Sequence, residues 1–422
     1  MFPAEQEAVM TEKQAIFARQ ATSIRFRNED MDFMLSWWIG VSQILGMSAS
    51  QVFLAVNGMK DGDPDAWRKG FRALAERQAR AASALHEKGQ RLAAGQSEIG
   101  SAYALRAALQ YTDPSSADFP GMIHAMEEAF QRGVASMGMP VRPIEVPFEG
   151  GSLPGYFLEH DGTDRPVVVM VGGGDTYRED LLYFAGYPGW KRGYNVLMVD
   201  LPGQGRTPGQ GFTFRVDMGG VISRLLDWLE ANARSRPSRV ALYGVSGGGY
   251  FTAQCAARDS RVKLWIAASP IYDVAEMFRS ELGAVLKAPG WLLGFLARVA
   301  GSVNRSAQIN LSKYAWQFGT TDFKAAADGV LEQAEAVAYT GVSCPCLFLI
   351  SEGEGAELRR QARVITDDLL RRGVDATLRE FTAAEGADGH CQLNNLRLAH
   401  LVVFDWLDRV LKHDPGDLRL RC

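Results

Sequence analysis

The chain has 422 residues, of which 47% are hydrophobic and 22% are charged, and its formal net charge is −4. This length exceeds one compact core and the composition is that of a globular protein, so a disordered or collagen-like chain is excluded and a catalytic domain with helical additions is expected. Because no block of Lys or Arg occurs, we expect a small-molecule substrate rather than nucleic acid or an anionic membrane as partner.

The N-terminus and the cysteines bear on the compartment. No basic stretch followed by an apolar run opens the chain, so we expect no secretory signal and a cytoplasmic location. The most apolar stretch, Trp291–Ala300, is short and broken by Arg298, which predicts no membrane span. Five cysteines, an odd number, suit reduced core thiols better than disulfides: Cys255, Cys344, Cys346, Cys391 and Cys422.

Residues 1–139 predict a helical N-terminal domain that serves as lid or dimerisation unit. Apolar side chains recur at helical spacing, for example from Phe33 to Ile44, and no strand alternation appears. Asp-Pro pairs that begin at Asp63 and Asp113 interrupt the pattern, and each aspartate is a candidate cap for the helix that follows.

Residues 140–422 predict an α/β catalytic domain. The stretches Val141–Val146 and Leu153–Leu158 alternate with period two around a turn at Gly150, which indicates a hairpin. Short apolar runs then recur, each followed by a loop and a helix, as is typical of parallel strands covered on both faces. These runs are Val167–Val171, Val196–Val199, Val240–Tyr243, Leu264–Ala267 and Leu347–Ile350. We therefore expect a mostly parallel, doubly wound sheet.

A helical insertion of about residues 270–342 separates the fourth of these runs from the fifth. It is too long for a bare loop, so we expect a cap over the carboxyl ends of the strands, where such sheets bind ligands. Its aromatic residues could line a pocket for a flat aromatic or polyketide substrate, although ordinary helix packing explains them equally well. The candidates are Tyr314, Trp316 and Phe318 as substrate-binding residues, with Trp37, Trp38 and Trp291 as further aromatics.

The segment Gly244–Gly248 has the sequence GVSGG and lies between an apolar strand and a helical pattern. A nucleophile elbow needs small residues around its serine, because the strand-to-helix turn is strained and pushes the hydroxyl out above the sheet. This context predicts that Ser246 is a catalytic nucleophile. The alternative, a glycine-rich turn with an incidental serine, is less favoured because a candidate acid and a candidate histidine follow Ser246 in order.

An acid and a histidine follow Ser246 at the ends of later strands. Glu354 lies just past the strand Leu347–Ile350 and is our choice for the orienting acid, with Glu352 and Glu357 as rivals. His390 lies in a loop after a strand and before the last helix, which suits a general base. The order serine, acid, histidine is that of α/β-hydrolases, so we expect an α/β-hydrolase fold.

The glycine loop Gly172–Asp175 follows the first parallel strand. Glycines allow main-chain amides to approach a developing oxyanion, so Gly173 and Gly174 are expected to form an oxyanion hole together with Gly247. A tight turn or a phosphate cradle is the alternative, but the loop lacks the GxGxxG spacing and a P-loop lysine. No His or Cys pair has ligand spacing, so we expect neither a metal nor a cofactor.

Several of these segments together resemble one branch of the superfamily: 2,6-dihydroxypseudooxynicotine hydrolase and the fungal polyketide-shortening hydrolases of pigment biosynthesis, with FrsA-like proteins more distant. The resemblance covers most of the chain. It rests on the helical N-terminal segment and on Gly172–Asp175 with Arg178–Asp180, Asp200–Gly205, the Ser246 elbow and Gly389–Cys391.

The resemblance implies a site enclosed by the N-terminal domain and the cap, a homodimer, and cleavage of a carbon–carbon bond beside a ketone. By resemblance, Ser246, Glu354 and His390 are nucleophile, acid and base, although aspartate is more usual where Glu354 stands. Asp175 occupies the position of an acid that assists in the nicotine-pathway relative, with a shorter side chain here. Either Asp175 or His390 would protonate the leaving carbanion.

Other functions remain open from the residues alone. The same triad would serve a carboxylesterase, a lactonase or a peptidase, or an acyltransferase or cyclase whose aromatic cap excludes water from the acyl-enzyme. A non-catalytic binding protein on a hydrolase scaffold is a further alternative, which the complete set of serine, acid and histidine argues against.

Overall fold

The computed structural model describes residues 19–161, 165–234, 238–286, 305–320, 322–334 and 339–413. Within these ranges, five helices precede the sheet and pack around an aromatic and aliphatic core that includes the fully buried Trp38, Trp67 and Tyr103. They are α1 Glu29–Ser42, α2 Ala49–Ala55, α3 Pro64–Glu87, α4 Arg91–Gln110 and α5 Phe119–Ser136.

The two Asp-Pro pairs behave differently. The Asp63 carboxylate accepts the backbone N–H of Ala66 at 2.9 Å, so Asp63 caps α3 as expected. Asp113 instead accepts the N–H of Ser115 at 2.9 Å, and α5 begins only at Phe119. The expectation that Asp113 caps a helix is therefore wrong: its carboxylate closes a local turn on the next residues.

The described residues form one sheet of eight strands in the order β1-β2-β4-β3-β5-β6-β7-β8. In it, β1 and β2 are antiparallel to their neighbours and the other pairs are parallel. The hairpin turns at Glu149 and Gly150, both with positive φ, as a two-residue turn of a twisted ribbon requires. The bounds are β1 Val141–Phe148, β2 Gly151–Leu158, β3 Val167–Val171, β4 Asn195–Val199, β5 Val240–Val245, β6 Val262–Ala268, β7 Cys346–Ser351 and β8 Ala376–Phe381.

Helices cover both faces of the sheet. Alternate residues of β3 point to opposite sides, with Val168 and Met170 in one apolar cluster and Val167, Val169 and Val171 in the other. The remaining helices are α6 Tyr187–Lys191, α7 Gly219–Asn232, α8 Gly247–Arg258, α9 Val274–Leu286, α10 Arg305–Gln317, α11 Phe323–Gln333, α12 Ala356–Arg371 and α13 Leu396–Leu411. In the described ranges, none of these helices has the length and apolarity needed to cross a membrane.

Buried ion pairs tie the N-terminal helices to the segment behind the glycine loop. The Arg106 Nε donates to Asp180 at 2.8 Å, and both side chains are almost fully buried. The Arg178 Nη2 contacts Glu127 of α5 at 2.9 Å, also in the interior. Because a buried charge that loses its partner is strongly destabilising, these pairs fix α4 and α5 to the segment that follows β3.

Candidate active site

Ser246 lies between the end of β5 and the start of α8, with φ 54° and ψ −126°. A non-glycine residue in this region stores strain of about 1–3 kcal/mol, which persists only where the surroundings hold it. A side chain on Gly244 would lie 2.2 Å from the Gly248 carbonyl oxygen, and one on Gly248 would lie 2.5 Å from the Val171 oxygen. Close backbone approach thus requires glycine at Gly244 and Gly248.

Glu354 and His390 are brought together from the ends of β7 and β8. The Glu354 Oε2 lies 2.7 Å from the His390 Nδ1, and the carboxylate is fully buried. Its Oε1 accepts the backbone N–H of Ser351 at 2.9 Å, while the Ser269 hydroxyl donates to Oε2. Three donors therefore hold the carboxylate in the plane that orients the imidazole.

The structure separates the three candidate acids. Glu352 is exposed at the surface. Glu357 pairs with Arg360 at 2.6 Å on the first turn of α12 and accepts a hydrogen bond from Gln361. Of the three, Glu354 is the one that contacts His390.

The environment of His390 favours its charged form. Burial disfavours an imidazolium, but the neighbouring Cys391 and the Glu354 carboxylate outweigh that penalty and raise the pKa of His390 above its usual range. The hydrogen bond from Nδ1 to the carboxylate fixes the ring and leaves Nε2 as the nitrogen on its other side.

Gln204 orients the glycine loop. Its side-chain amide donates to the carbonyl oxygens of Gly172 and Gly173 at 2.7 and 2.9 Å. Because a trans peptide unit points its C=O and the following N–H in opposite directions, the N–H of Gly174 faces away from Gln204. Through Gln204, the Asp200–Gly205 turn therefore fixes the orientation of the glycine loop, which was expected to bind the oxyanion.

The backbones of Gly173, Gly174 and Gly247 lie close to one another and to Ser246. A side chain built on Gly247 would be 3.7 Å from the Gly174 nitrogen, and one on Gly173 would be 3.2 Å from the Ser246 Oγ. Within the described part of the chain, neither the N–H of Gly174 nor that of Gly247 is used in a hydrogen bond. Two amides beside a serine hydroxyl can stabilise an oxyanion.

A cavity of about 170 Å³ opens above these groups. Ser246, Gly174, Gly247 and His390 form its polar floor, and most other described residues around it are apolar. The aromatic side chains come from the roof and the walls: Phe214, Tyr250, Phe251, Phe278, Tyr314, Phe318 and Phe323.

The structure sorts the predicted aromatic residues by helix face. Tyr314 and Phe318, four residues apart, both line the cavity. The expectation for Trp316 needs correction, because two residues on from Tyr314 it points to the other side and packs edge-on against Phe119, with ring centroids 5.3 Å apart. Trp37 and Trp38 of α1 likewise stack on each other in the core. Trp291 lies outside the described residues.

Asp175 is one side chain removed from the cavity. It is absent from the described residues that line it, and its Oδ2 lies 3.7 Å from the Arg19 guanidinium. Arg19 does line the cavity. It was not predicted, because a single arginine before the first helix carries no motif. Ser269, at the end of β6, was missed for the same reason.

No group of three or more His, Cys, Asp and Glu side chains that could hold a metal ion occurs among the described residues. Four cysteines of the described ranges are free: Cys255, Cys344, Cys346 and Cys391.

Comparisons with known proteins agree with this geometry. The model of the X-Pro dipeptidyl-peptidase (S15) family matches residues 146–337. Hydrolase ORFZ of Pyricularia oryzae is 27% identical, over 91% of this chain and 97% of that protein. The 20-hydroxy-prefusarin hydrolase FUS2 of Gibberella moniliformis is 26% identical, over 91% and 97%.

Among solved structures, that of 2,6-dihydroxy-pseudo-oxynicotine hydrolase superposes with a TM-score of 0.64 at 18% identity, covering 88% of this chain and 95% of that chain. This likeness confirms the predicted fold, and the relatives that match along almost their whole length confirm the predicted resemblance. The chain therefore has the α/β-hydrolase fold, and it is an enzyme similar to these fungal hydrolases.

Proposed function

We propose that this hydrolase uses Ser246 as nucleophile, His390 as general base and Glu354 as the acid that orients the base. The observation that carries the proposal is the 2.7 Å contact between Glu354 and the His390 Nδ1, at a cavity that His390 shares with the strained Ser246 elbow. This is the arrangement that nucleophilic catalysis by a serine needs, because the hydroxyl is a weak nucleophile until a base takes its proton.

In the proposed acylation step, the Ser246 oxygen attacks a substrate carbonyl while its proton passes to the His390 Nε2. The oxygen of the tetrahedral intermediate is held by the N–H groups of Gly247 and Gly174, whose positions support this role. Collapse of the intermediate breaks the bond to the leaving group, which takes the proton from His390, and gives an acyl-enzyme. Water then hydrolyses the acyl-enzyme with His390 again as base.

For the substrate, we propose a ketone whose carbon–carbon bond is cleaved, as in a β-diketone, an aryl ketone or a polyketide-type compound. Support comes from the relatives, which include a 20-hydroxy-prefusarin hydrolase and a structural neighbour that acts as 2,6-dihydroxy-pseudo-oxynicotine hydrolase. The aromatic walls of the cavity also suit a flat conjugated substrate and exclude water from a carbanionic leaving group.

The nucleophile is tested by intact-mass analysis after incubation with a fluorophosphonate. Wild type is expected to gain one adduct, and Ser246→Ala none. Ser152→Ala, a change at the exposed hairpin, is the matched control and should label like wild type. Equal labelling of wild type and Ser246→Ala would refute the assignment.

Turnover then tests the reaction class. We compare kcat/KM of wild type for aryl esters and for β-diketones that deliver the same acyl group. Hydrolysis of the diketones to a carboxylic acid and a ketone would support the proposal. Hydrolysis of the esters alone would instead identify a carboxylesterase with the same triad.

A further inference from the structure

The chain just before α1 forms a strap across the loop that carries His390. We define the strap as residues 19–22. The Arg19 carbonyl oxygen accepts the backbone N–H of His390 at 2.6 Å. The fully buried Asp388 accepts the N–H groups of Ala21 and Thr22 at 2.8 and 2.7 Å. The backbone of Arg19 is therefore fixed relative to the catalytic histidine.

The same strap touches the loop of the acid. A side chain on Gly353 would lie 2.5 Å from the Ala21 nitrogen and 2.7 Å from the Gln20 Cα. This close approach explains the glycine between Glu352 and Glu354. The strap is thus in contact with the loops of both Glu354 and His390.

The Arg19 side chain enters the cavity from the strap. Its guanidinium lies 3.7 Å from both Asp30 and Asp175 and 5.3 Å from the centre of the Phe33 ring. It also has a hydrogen bond with Tyr314, whose ring lies next to Gly174: a side chain on that glycine would be 3.6 Å from the Tyr314 Cε1. The cation is therefore held beside the glycine loop by four neighbours from three segments.

Arg19 remains charged at any working pH. Burial disfavours the charge, but Tyr314, Asp175 and Asp30 outweigh it and raise the pKa of Arg19 above its already high value. The Asp30 and Asp175 carboxylates offset part of this charge. In a cavity with mostly apolar walls, a guanidinium N–H still interacts strongly with a negative oxygen at contact distance, because little water screens it.

Esters and 1,3-dicarbonyl compounds differ in where the negative charge of the leaving group appears. In an ester, the leaving oxygen is itself bonded to the attacked carbon, and His390 can protonate it. In a 1,3-dicarbonyl compound the leaving group is a carbon, and its negative charge is delocalised onto the oxygen of the second carbonyl, away from the scissile bond. A C–C hydrolase therefore needs a second site for negative charge.

We propose that Arg19 binds the second carbonyl oxygen of a 1,3-dicarbonyl substrate and stabilises the enolate that leaves. This inference rests on the proposed function and names its substrate class. In the step, the bond from the Ser246 oxygen to the first carbonyl carbon forms and the adjacent carbon–carbon bond breaks. The electron pair moves into the enolate, and the proton taken by His390 from Ser246 returns to its carbon. Water then releases the acid, so that diketone and water give one carboxylic acid and one ketone.

The first test compares 1-phenyl-1,3-butanedione with phenyl acetate, both of which can deliver an acetyl group to Ser246. In Arg19→Gln, the ratio of diketone to ester kcat/KM should fall at least 30-fold, after active sites are counted by fluorophosphonate labelling. Arg19→Lys, which keeps the charge, should recover part of the ratio. Arg27→Gln removes an exposed arginine from the same segment and should leave the ratio unchanged.

Equal losses on diketone and ester in Arg19→Gln would overturn the inference and leave Arg19 as a residue that holds the strap. A loss confined to KM and common to both substrates would also overturn it, and would point to recognition of a substrate group outside the reacting atoms.

The second test separates this inference from the proposed function by removing turnover. The diketone is bound to Ser246→Ala, and its ultraviolet spectrum reports whether the bound enol is ionised. We expect the red-shifted enolate in Ser246→Ala and its loss in the double variant with Arg19→Gln. If wild type does not cleave diketones yet this shift depends on Arg19, the proposed reaction fails and the Arg19 site stands. If turnover occurs and neither protein shows the enolate, the Arg19 inference fails alone.

Discussion

The floor and the roof of the cavity are built in different ways. Here the floor includes Glu354 and Gln204, which position its residues, and all of it lies in loops at the carboxyl ends of β3, β4, β5, β7 and β8. The roof comes from segments far apart in the chain: the strap, α10 and the residues around Phe214. The floor can therefore be altered one loop at a time, whereas the roof depends on how separate parts of the chain pack together.

The largest effect is expected on the floor, at Glu354. Glu354→Gln keeps the shape but removes the charge that orients and stabilises the imidazolium, so kcat should fall about 10³–10⁴-fold. Because the carboxylate raises the pKa of His390, its loss should lower that pKa, and the acidic limb of the kcat/KM profile should move to lower pH.

The measurement is a pH–rate profile of both proteins. In wild type, kcat/KM should rise with pH as His390 loses its proton, at a pH above the usual histidine range. Glu352→Gln, at an exposed acid two residues away, is the matched control and should retain the wild-type profile. An unshifted limb in Glu354→Gln would contradict the assignment of the acid.

A smaller effect on the floor is expected at Gln204. Gln204→Ala frees the carbonyls of Gly172 and Gly173, so the Gly174 N–H loses its fixed direction, and kcat should fall about 10²-fold with a smaller change in KM.

A trifluoromethyl ketone, which forms a tetrahedral adduct with the serine, distinguishes this positioning role of Gln204 from a general loss of structure. Its affinity should weaken in parallel with kcat, whereas substrate KM should not. Gln210→Ala, at the exposed end of the same loop, serves as control. Parallel losses in kcat, KM and thermal stability would instead mean that Gln204 only holds the fold.

The residues of the floor could be located from the sequence because each lies in a local pattern. An apolar run followed by GVSGG, by GGGD or by an acid predicts a strand with a group at its end, and parallel strands bring such ends to one edge. The choice among Glu352, Glu354 and Glu357 could not be made in this way, since it depends on which carboxylate reaches His390 across two loops.

The roof was predicted less well because helix and loop packing decides it. Arg19 carries no motif, and its role depends on Asp388 and Gly353, more than 300 residues away in the chain. Asp175 was placed at the site from its position after the glycine loop, but a short side chain there meets Arg19 before it reaches the cavity.

The smallest effect is expected on the roof, where two neighbouring aromatic residues of one segment should respond differently to substitution. Phe318 lines the cavity and contacts Phe214, with ring centroids 5.2 Å apart. Phe318→Ala should therefore raise KM for an aromatic substrate about 10-fold, since one lost apolar contact of this size is worth about 1–3 kcal/mol. Trp316 faces Phe119 instead, so Trp316→Ala should lower the free energy of unfolding by about 2–3 kcal/mol and change KM little.

Paired measurements of KM and of urea unfolding on Phe318→Ala and Trp316→Ala decide whether the helix has these two faces. If Trp316→Ala raised KM as much as Phe318→Ala while its unfolding midpoint stayed unchanged, the assignment of faces would be wrong. If Phe318→Ala alone raises KM and Trp316→Ala lowers the unfolding midpoint, four-residue spacing within the cap, rather than aromatic content, identifies the side chains that meet the substrate.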